Sequence, residues 1–526
     1  MMIKKGFALL LMVLFFGMIS GCTPKPEEVD LDDLHPRNDI YYQLFVRSFA
    51  DSDSDGIGDF KGITENLPYL KELGIGGIWL LPIHPSPSYH GYDVSDYYAV
   101  NPEYGTMDDF EELIKEADKL GIRIMIDLVL NHSSTENEWF QKSMAGNPNY
   151  RDWYVWIDST SPRKSAVGSW NQTLFHGTGS SLYAGYFSHT MPDFNVTNPV
   201  VIEEFNNIGR FWLEKGVTGF RLDAALHFFG TNEYVGITDF MENVLLLRRF
   251  RNKMREVNPD VYITGEIWDN VVIYSEFYRG VDSPLNFDAG NIILNTAVVG
   301  GNAGYSNRLN MLYNTFSLVN SKFVDAPFLK NHDQDRVASL PGMTLSAMKL
   351  SAEMLLTLPG SPIIYYGEEL GMKGVKSSGP AWDETRRLPL KWGNSYQATW
   401  FPDTFNSTVL SVSDQLSDQD SLLSTYQRIA KVRNDNPALK YGNSFIPYRN
   451  GSYVLQGFYR AFEYEDIQQL VVVLHNFSNN DIDMPVFHNA VLLYDSKQEG
   501  VELTKIRAKS TVILELPYSQ LTDITG

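Results

Sequence analysis

Up to about residue 440, the chain repeats one pattern of apolar and polar positions. A stretch with apolar residues at helical spacing ends near a lysine and a glycine, and a short apolar run follows it. The clearest copy begins at Thr106, which can cap a helix, ends at Gly121 and leads into residues 122–128. Helices that alternate with apolar strands predict a parallel sheet that is buried on both faces.

Eight apolar runs of this kind occur in the repeated region. They are residues 40–45, 77–80, 122–128, 219–222, 261–264, a stretch near 285–287, 326–329 and 363–366. Eight parallel strands that alternate with helices predict a (β/α)8 barrel. The pattern alone leaves an open, doubly wound sheet as the alternative.

Two regions depart from the repeated pattern. Residues 133–198 are rich in Trp, Tyr, Gly and Asn and lack helical periodicity, which predicts an irregular domain inserted after the third strand. From residue 438 to residue 526, short alternating strands replace the helices and predict an antiparallel β domain. The barrel is therefore expected to comprise residues 39–132 and 199–437.

The N-terminal segment resembles an export signal. Two lysines precede an apolar run, residues 6–19, that is too short to span a bilayer comfortably. The segment Ile19-Ser20-Gly21-Cys22 resembles a bacterial lipobox, and Cys22 is the only cysteine. We therefore expect residues 1–21 to be removed, Cys22 to carry lipid, and residues 22–38 to tether an exported protein to a membrane of the cell envelope. An ordinary signal that is cleaved nearby is the alternative.

Composition narrows the possible functions. The chain has 43 Lys and Arg against 64 Asp and Glu, a formal charge of −21, and 43% of its residues are hydrophobic. These values indicate a globular protein and exclude one that coats nucleic acid, because binding phosphates requires clustered basic residues. We expect the chain to act as a monomer.

Three carboxylic acids follow predicted barrel strands at the points where the strands end: Asp223, Glu266 and Asp333. The carboxyl ends of barrel strands meet at one face, where barrel active sites lie. A single acid of this kind is usually a helix cap or a surface charge. Three of them predict a catalytic site at the barrel mouth.

Four segments around these acids resemble the signature blocks of the α-amylase family of glycoside hydrolases, and they occur in that family's order. Three shorter segments, residues 56–60, 191–195 and 360–369, match the same family. The resemblance implies a TIM barrel with an inserted domain after strand three and a C-terminal antiparallel β-sandwich. The four blocks are Asp127-Leu128-Val129-Leu130-Asn131-His132, Gly219-Phe220-Arg221-Leu222-Asp223-Ala224, Gly265-Glu266-Ile267-Trp268 and Phe328-Leu329-Lys330-Asn331-His332-Asp333.

The resemblance also implies catalytic roles: Asp223 as the nucleophile, Glu266 as the acid/base and Asp333 as the carboxylate that stabilises the transition state. A retaining glycosidase needs two carboxyls ~5–5.5 Å apart, one to attack and one to protonate the leaving oxygen. We expect burial and nearby negative charge to raise the pKa of Glu266. Arg221, on the same strand face as Asp223, is expected to keep Asp223 ionised.

Further residues resemble the family's contacts to the sugar. His132 and His332 match donors to sugar hydroxyls, although buried structural histidines are the alternative for both. Tyr92 matches the aromatic residue that stacks on the same ring, and Asp93 follows it. Arg387 lies in a segment that resembles a loop whose arginine approaches Asp93.

Residues 51–59 have the spacing of a calcium-binding loop, with acids at positions one, three, five and nine and glycine at six. The resemblance implies Ca²⁺ ligands at Asp51, Asp53, Asp55, Ile57 through its carbonyl, and Asp59. A turn of Asp side chains without an ion is the alternative. Asn131 matches a ligand of a second calcium site, whose other ligands the sequence does not identify.

Two residues bear on which bond is cleaved. With alanine at position 224, the chain resembles family members that cleave α-1,4 links. Leu226, however, stands where many α-amylases have a lysine that binds the leaving-side sugar. The sequence therefore favours an α-amylase that acts on starch or maltooligosaccharides with retention. The alternatives are an α-glucosidase, a cyclomaltodextrinase, a 4-α-glucanotransferase and, from another class, a non-catalytic sugar-binding barrel.

Overall fold

A computed structural model describes residues 38–229, 240–301, 304–379, 381–497 and 504–525. The predicted signal, Cys22 and nearly all of the predicted tether lie outside these residues. Within the described ranges, no helix combines the length and apolar character needed to cross a membrane.

The strands alternate with helices through the first two thirds of the chain and follow one another directly near its end. The strands are β1 Tyr41–Leu44, β2 Gly77–Leu80, β3 Arg123–Leu128, β4 Trp156–Asp158, β5 Phe175–His176, β6 Ser181–Ala184, β7 Gly219–Leu222, β8 Tyr262–Gly265, β9 Ser283–Asn286, β10 Ala326–Pro327, β11 Ile363–Tyr365, β12 Ile446–Pro447, β13 Leu455–Tyr464, β14 Ile467–Asn476, β15 Ile482–Asp483, β16 Val491–Asp495, β17 Lys505–Ile506 and β18 Ser510–Leu516.

The longer helices follow barrel strands, and several short helices lie in the connections. The helices are α1 Val46–Phe49, α2 Phe60–Glu65, α3 Leu67–Glu72, α4 Met107–Lys119, α5 Glu138–Met144, α6 Pro199–Glu214, α7 Met241–Val257, α8 Val271–Glu276, α9 Phe287–Val299, α10 Tyr305–Val319, α11 Leu345–Leu356, α12 Val412–Leu416, α13 Leu422–Asp435, α14 Pro437–Lys440 and α15 Leu521–Thr525.

Eight parallel strands form the central sheet, in the order β10-β9-β8-β7-β3-β2-β1-β11. A parallel bridge between Phe328 and Ile363 joins the two ends of this order. The sheet therefore closes on itself, which confirms the predicted barrel and rules out the open sheet. Six of the eight predicted apolar runs contain a barrel strand, and the other two, residues 261–264 and 285–287, overlap one with a shift of one or two residues.

Helix α4 illustrates how local sequence builds the repeated unit. Thr106 and Asp109 form a capping box at its start. Phe110, Leu113 and Ala117 are buried on one face. Gly121 then adopts a φ of 66°, a left-handed conformation that ends the helix and returns the chain to β3.

The segment between β3 and α6 carries a small three-stranded antiparallel sheet, β4-β6-β5. A backbone bridge between His132 and Asp193 fastens the segment beside the carboxyl end of β3, and a second bridge, between Tyr154 and Phe194, lies within the segment. This end of the barrel is its mouth. The inserted segment therefore forms one wall of the space above the barrel.

The C-terminal region contains a five-stranded antiparallel sheet, β12-β13-β14-β18-β16, and a two-stranded one, β15-β17. It packs against the barrel through buried polar contacts. Arg460 donates to the Thr357 carbonyl at 2.7 Å, and the Tyr494 hydroxyl donates to Glu353 at 2.8 Å. These contacts lie around helix α11.

Candidate active site

A buried arginine organises the acids at the barrel mouth. Arg221 lies on β7 with its side chain fully buried. Its Nη1 lies 2.8 Å from Oδ1 of Asp127 and 2.7 Å from Oδ1 of Asp223. Its Nη2 lies 2.8 Å from Oε2 of Glu266. One guanidinium thus holds Asp223 and Glu266 close together at the ends of adjacent strands.

Asp333 joins these acids from the loop after β10. Its Oδ1 lies 3.0 Å from Nη2 of Arg387, and its Oδ2 lies 3.1 Å from Nε2 of His332. Although burial raises its pKa, the neighbouring His332, Arg387 and Arg221 lower the pKa by more, so that it lies below its ordinary value. Asp333 is therefore ionised at neutral pH.

The other acids are affected mainly by burial. Burial raises the pKa of Glu266 to about 7 and that of Asp127 to about 6, even though Arg221 lowers both. The direction for Glu266 is the one expected of a proton donor. Burial also raises the pKa of Asp223 to about 7 in spite of Arg221. Arg221 favours the ionised form of Asp223, as expected, but desolvation outweighs the effect of a single cation shared by three carboxyls.

Tyr92 and His332 form a stacked pair within the site. Their ring centres are 5.6 Å apart, and the angle between the ring planes is 7°. The Tyr92 hydroxyl donates to Oδ2 of Asp127 at 3.0 Å and lies 2.6 Å from Nε2 of His332. Both predicted sugar contacts are thus connected to the acid cluster.

His132 lies beside this pair, and its Nε2 is 3.1 Å from the Tyr92 carbonyl oxygen. Burial lowers the pKa of His132 to about 4, so the ring is neutral. The side chain is buried against the inserted segment, with its ring 5.2 Å from that of Phe187. His132 therefore joins the inserted segment to the site.

Asp93 and Arg387 contact different partners. Arg387 pairs with Asp333, and its guanidinium lies 5.7 Å from the ring centre of Tyr89. Asp93 instead accepts hydrogen bonds from Ser86 and Ser88. Among the described residues, the carboxylate that pairs with Arg387 is that of Asp333, and an approach of Arg387 to Asp93 stays a prediction.

The predicted metal loop follows α1 and is partly assembled. Carboxylate oxygens of Asp51, Asp53 and Asp59 lie within 4.8 Å of one another. Asp55 lies outside this group, and its Oδ1 accepts a hydrogen bond from the Ile57 amide at 2.7 Å. Oxygen ligands at this separation suit a hard divalent cation.

Asn131, predicted as a ligand of a second calcium site, contacts the inserted segment, and its role as a ligand stays a prediction. Its amide donates to Oδ1 of Asp193 at 3.3 Å, and Oδ2 of Asp193 accepts from the Tyr186 amide at 2.9 Å. The first contact holds the inserted segment to the barrel, and the second lies within that segment. Asn131 and Asp193 therefore act as a structural link in this arrangement.

Several aromatic residues near the acids were not identified as site residues from the sequence. Trp268 lies two residues after Glu266, has 57% of its surface exposed and stacks on Phe287 at 4.5 Å. Trp170, 62% exposed, belongs to the inserted segment and lies 6.3 Å from the ring of His227. Trp268 ends the family block that contains Glu266, and this position was the available signal. Nothing in the local sequence marks Trp170.

Gln43 was also missed. It belongs to none of the family blocks, yet its Nε2 lies 2.8 Å from Nδ1 of His332. Its position on β1, next to last in the strand, was the available signal, since the ends of barrel strands line the site.

Comparison with known proteins gives consistent results. A family model described as "Alpha amylase, catalytic domain" matches residues 43–442. Alpha-amylase 3 of Dictyoglomus thermophilum is 37% identical over 494 residues, covering 91% of this chain and 94% of that protein. A 4-alpha-glucanotransferase of Thermotoga neapolitana is 34% identical, covering 84% and 96%. A crystal structure of an alpha-amylase from H. orenii superposes with a TM-score of 0.82 at 36% identity, covering 91% and 99%.

Proposed function

The chain belongs to the α-amylase family of glycoside hydrolases and acts on α-glucans, and from that premise we propose that it cleaves α-1,4-glucosidic bonds in starch and maltooligosaccharides with retention. The observation that carries the proposal is the shared contact of Asp223 and Glu266 with Arg221. Carboxyls held by one guanidinium are close neighbours. This favours the ~5–5.5 Å separation of a retaining pair over the ~6.5–9.5 Å of an inverting pair.

In the proposed mechanism, Asp223 attacks the anomeric carbon while Glu266 gives its proton to the leaving oxygen. A covalent glycosyl-enzyme forms. Water then attacks the anomeric carbon of this intermediate, and Glu266, now ionised, removes a proton from the attacking water. The raised pKa of Glu266, about 7, supports the donor role because the group holds its proton near neutral pH. Attack by Asp223 requires its ionised form, which the contact with Arg221 stabilises.

Asp333, Tyr92 and His332 complete the proposed sugar site. Ionised Asp333 is placed to stabilise the positive charge that develops on the sugar ring in the transition state. Tyr92 offers an aromatic face, and His332 offers a ring nitrogen beside Asp333. Arg387 holds Asp333 in place and is proposed as a positioning residue for it.

The following experiment tests the activity. The protein is incubated with maltohexaose, and proton NMR follows product sizes and anomers during the first turnovers. Short maltooligosaccharides that are first released as α-anomers are the expected result. Glucose alone would indicate an α-glucosidase, and β-anomers would contradict the retaining mechanism. No turnover in the presence of calcium would favour the non-catalytic barrel.

Two exposed tryptophans, one two residues after Glu266 and one against His227, support transfer to a sugar as a second proposed activity. Leu226 provides no ammonium group for a leaving-side sugar, whereas Trp170 and Trp268 expose indole rings. Indole faces bind sugar rings through their apolar surface, and a saccharide held there can accept the glycosyl group in place of water. A relative that is named a 4-alpha-glucanotransferase is compatible with this proposal.

Replacing Trp268 with alanine is expected to raise KM for maltohexaose about 2- to 10-fold, because a stacking contact contributes ~0.5–1.5 kcal/mol. The ratio of products longer than the substrate to shorter ones should fall as well. Chromatography of products at several substrate concentrations measures both. Tyr453→Ala, at an exposed aromatic in the C-terminal region, is the control and should change neither value. An unchanged ratio in Trp268→Ala would argue against a leaving-side role.

We propose that the loop after α1 binds Ca²⁺ through Asp51, Asp53 and Asp59. Support comes from their mutual approach within 4.8 Å and from the oxygen donors themselves. Asp51 also accepts hydrogen bonds from the Ser54 and Gly56 amides, which shape the loop. A bound ion here would stabilise the first βα connection of the barrel.

Calcium is expected to stabilise the protein against unfolding by ~2.7 kcal/mol at a concentration 100-fold above its Kd. Thermal unfolding with calcium and with a chelator measures the difference. Asp53→Asn should abolish most of the calcium-dependent shift in Tm. Asp55→Asn is the matched control, because Asp55 lies outside the group of three acids. This variant should keep the calcium-dependent shift in Tm. Equal loss in both variants would restore Asp55 as a ligand.

We also propose that the protein is exported and anchored by lipid on Cys22. Support comes from the sequence of the N-terminal segment, which lies outside the described residues. A Cys22→Ser variant is expected to leave the membrane fraction and appear in the soluble one. Fractionation followed by immunodetection checks this, and a variant that stayed with the membrane would contradict it.

A further inference from the structure

Gln43 occupies a buried position near the carboxyl end of β1. It lies on β1, and only 1% of its surface is exposed. Its Nε2 is 2.8 Å from Nδ1 of His332. The two residues are separated by 289 positions in sequence, so barrel closure alone brings them together.

The contact restricts the proton on His332. An amide nitrogen can only donate a hydrogen bond, so Nδ1 must be the unprotonated, accepting nitrogen of the ring. A neutral imidazole then carries its hydrogen on Nε2. Burial lowers the pKa of His332 to about 3, which keeps the ring neutral at working pH.

The opposite edge of the ring leads to the same tautomer. Nε2 lies 3.1 Å from Oδ2 of Asp333, which accepts only. It also lies 2.6 Å from the hydroxyl oxygen of Tyr92, whose own hydrogen goes to Asp127. Two acceptors at this edge require an N–H, and a lone pair there would repel both.

The reverse orientation of the Gln43 amide is therefore unfavourable. It would place Oε1 against Nδ1, move the ring hydrogen to Nδ1 and leave a lone pair facing Asp333. In the observed orientation, Oε1 has no hydrogen-bond partner among the described residues. An unpaired buried acceptor is destabilising. The contacts of His332 Nε2 with Asp333 and Tyr92 favour this orientation in spite of that cost.

We propose that Gln43 is a positioning residue that fixes His332 as the Nε2–H tautomer and directs this N–H toward the proposed sugar site beside Asp333. The proposal rests on the proposed function, because it concerns how the same site holds its sugar. Tyr92 stacks on one face of the His332 ring, and Trp79 meets the ring edge-on at 6.3 Å. These rings restrict tilting of the imidazole, and Gln43 restricts its rotation and its tautomer.

A double-mutant cycle tests whether Gln43 acts through His332. Gln43→Met keeps the length of the side chain and removes its donor. It is expected to lower kcat/KM for maltohexaose about 10-fold, the effect of losing one well-placed hydrogen bond in the transition state. In the His332→Asn background, the same change should lower kcat/KM less than 2-fold. An equal loss in both backgrounds would overturn the proposal.

Nitrogen-15 NMR of histidine-labelled protein gives a readout that does not depend on activity. The two-bond correlations of His332, assigned by comparison with His332→Asn, should show a protonated Nε2 and an unprotonated Nδ1. In Gln43→Met, the signals should shift or broaden as the ring loses its restraint. A protonated Nδ1 in the unaltered protein would overturn the proposal.

Tyr42→Phe provides the control for disturbance of β1. Tyr42 precedes Gln43, and its hydroxyl donates to Glu369 at 2.8 Å, away from the acid cluster. This variant should keep kcat/KM within 2-fold and leave the His332 signals unchanged. Loss of activity equal to that of Gln43→Met would overturn the proposal. Absence of turnover in the unaltered protein would refute the proposed function instead, while the NMR result would still decide the tautomer.

Discussion

Asp223→Asn is expected to lower kcat on the order of 10⁴-fold or more, because a neutral amide cannot attack the anomeric carbon. The amide oxygen can still accept a hydrogen bond from Arg221, which lies 2.7 Å from the present carboxylate. The site should therefore keep its shape. Maltohexaose binding, measured by calorimetry, should remain within a few-fold of the unaltered protein.

Asp325→Asn is the matched control for this change. Asp325 is also buried, and burial raises its pKa to about 7. It precedes β10, at the end of the barrel opposite the mouth, and accepts hydrogen bonds from Asn286. Its replacement should leave kcat within a few-fold. If Asp223→Asn retained full turnover, or if both variants lost it alike, the assignment of the nucleophile would be wrong.

Arg221→Met is expected to abolish measurable turnover and to reduce the free energy of unfolding by about 3–5 kcal/mol, the usual cost of leaving buried charges without their partner. Arg221 contacts three carboxyls and lowers the pKa of each. Without it, the pKa values of Asp127, Asp223 and Glu266 should rise further, and the carboxyls should take up protons.

The sign of the pH dependence follows from these shifts. Acids whose pKa is higher in the folded state than in the unfolded state bind more protons when folded, so stability falls as pH rises between the two values. The loss of unfolding free energy caused by Arg221→Met should therefore be larger at pH 8 than at pH 5. Urea unfolding at both pH values, compared with the unaltered protein, measures it.

Arg433→Met separates this effect from the loss of any buried arginine. Arg433 is also fully buried, but it donates to backbone carbonyls, including those of Leu356 and Leu358, at 3.0 and 2.7 Å. Its removal should destabilise the fold by a similar amount at both pH values. If the loss of unfolding free energy in Arg221→Met did not grow with pH, the proposal that Arg221 lowers the pKa values of three carboxyls would be contradicted.

Much of the fold could be predicted from sequence because its signals are local. A capping residue, a helical stripe and a terminating glycine lie within 16 consecutive residues around α4, and each acts on its near neighbours. The eight apolar runs and the family blocks are equally local. They led to the barrel and the family, both of which are confirmed, and to the catalytic acids, whose roles stay a prediction.

Contacts between distant strands could not be predicted in this way. The sequence placed Arg387 near Asp93 and Asp55 among the metal ligands, whereas the fold pairs Arg387 with Asp333 and leaves Asp55 outside the acid group. A side chain's partner is decided by which groups the closed barrel brings within a few ångströms. Local patterns carry no information about that distance.

The order of strands and helices, the acids at the strand ends and the family resemblance can be read from neighbouring residues. The contacts of Arg221 with three carboxyls and of Gln43 with His332 join residues far apart in the chain, and they emerge only when the barrel closes. Burial and charge act through space and not along the chain. Closure of the barrel sets both the desolvation of the acids and the hydrogen bonds that orient them.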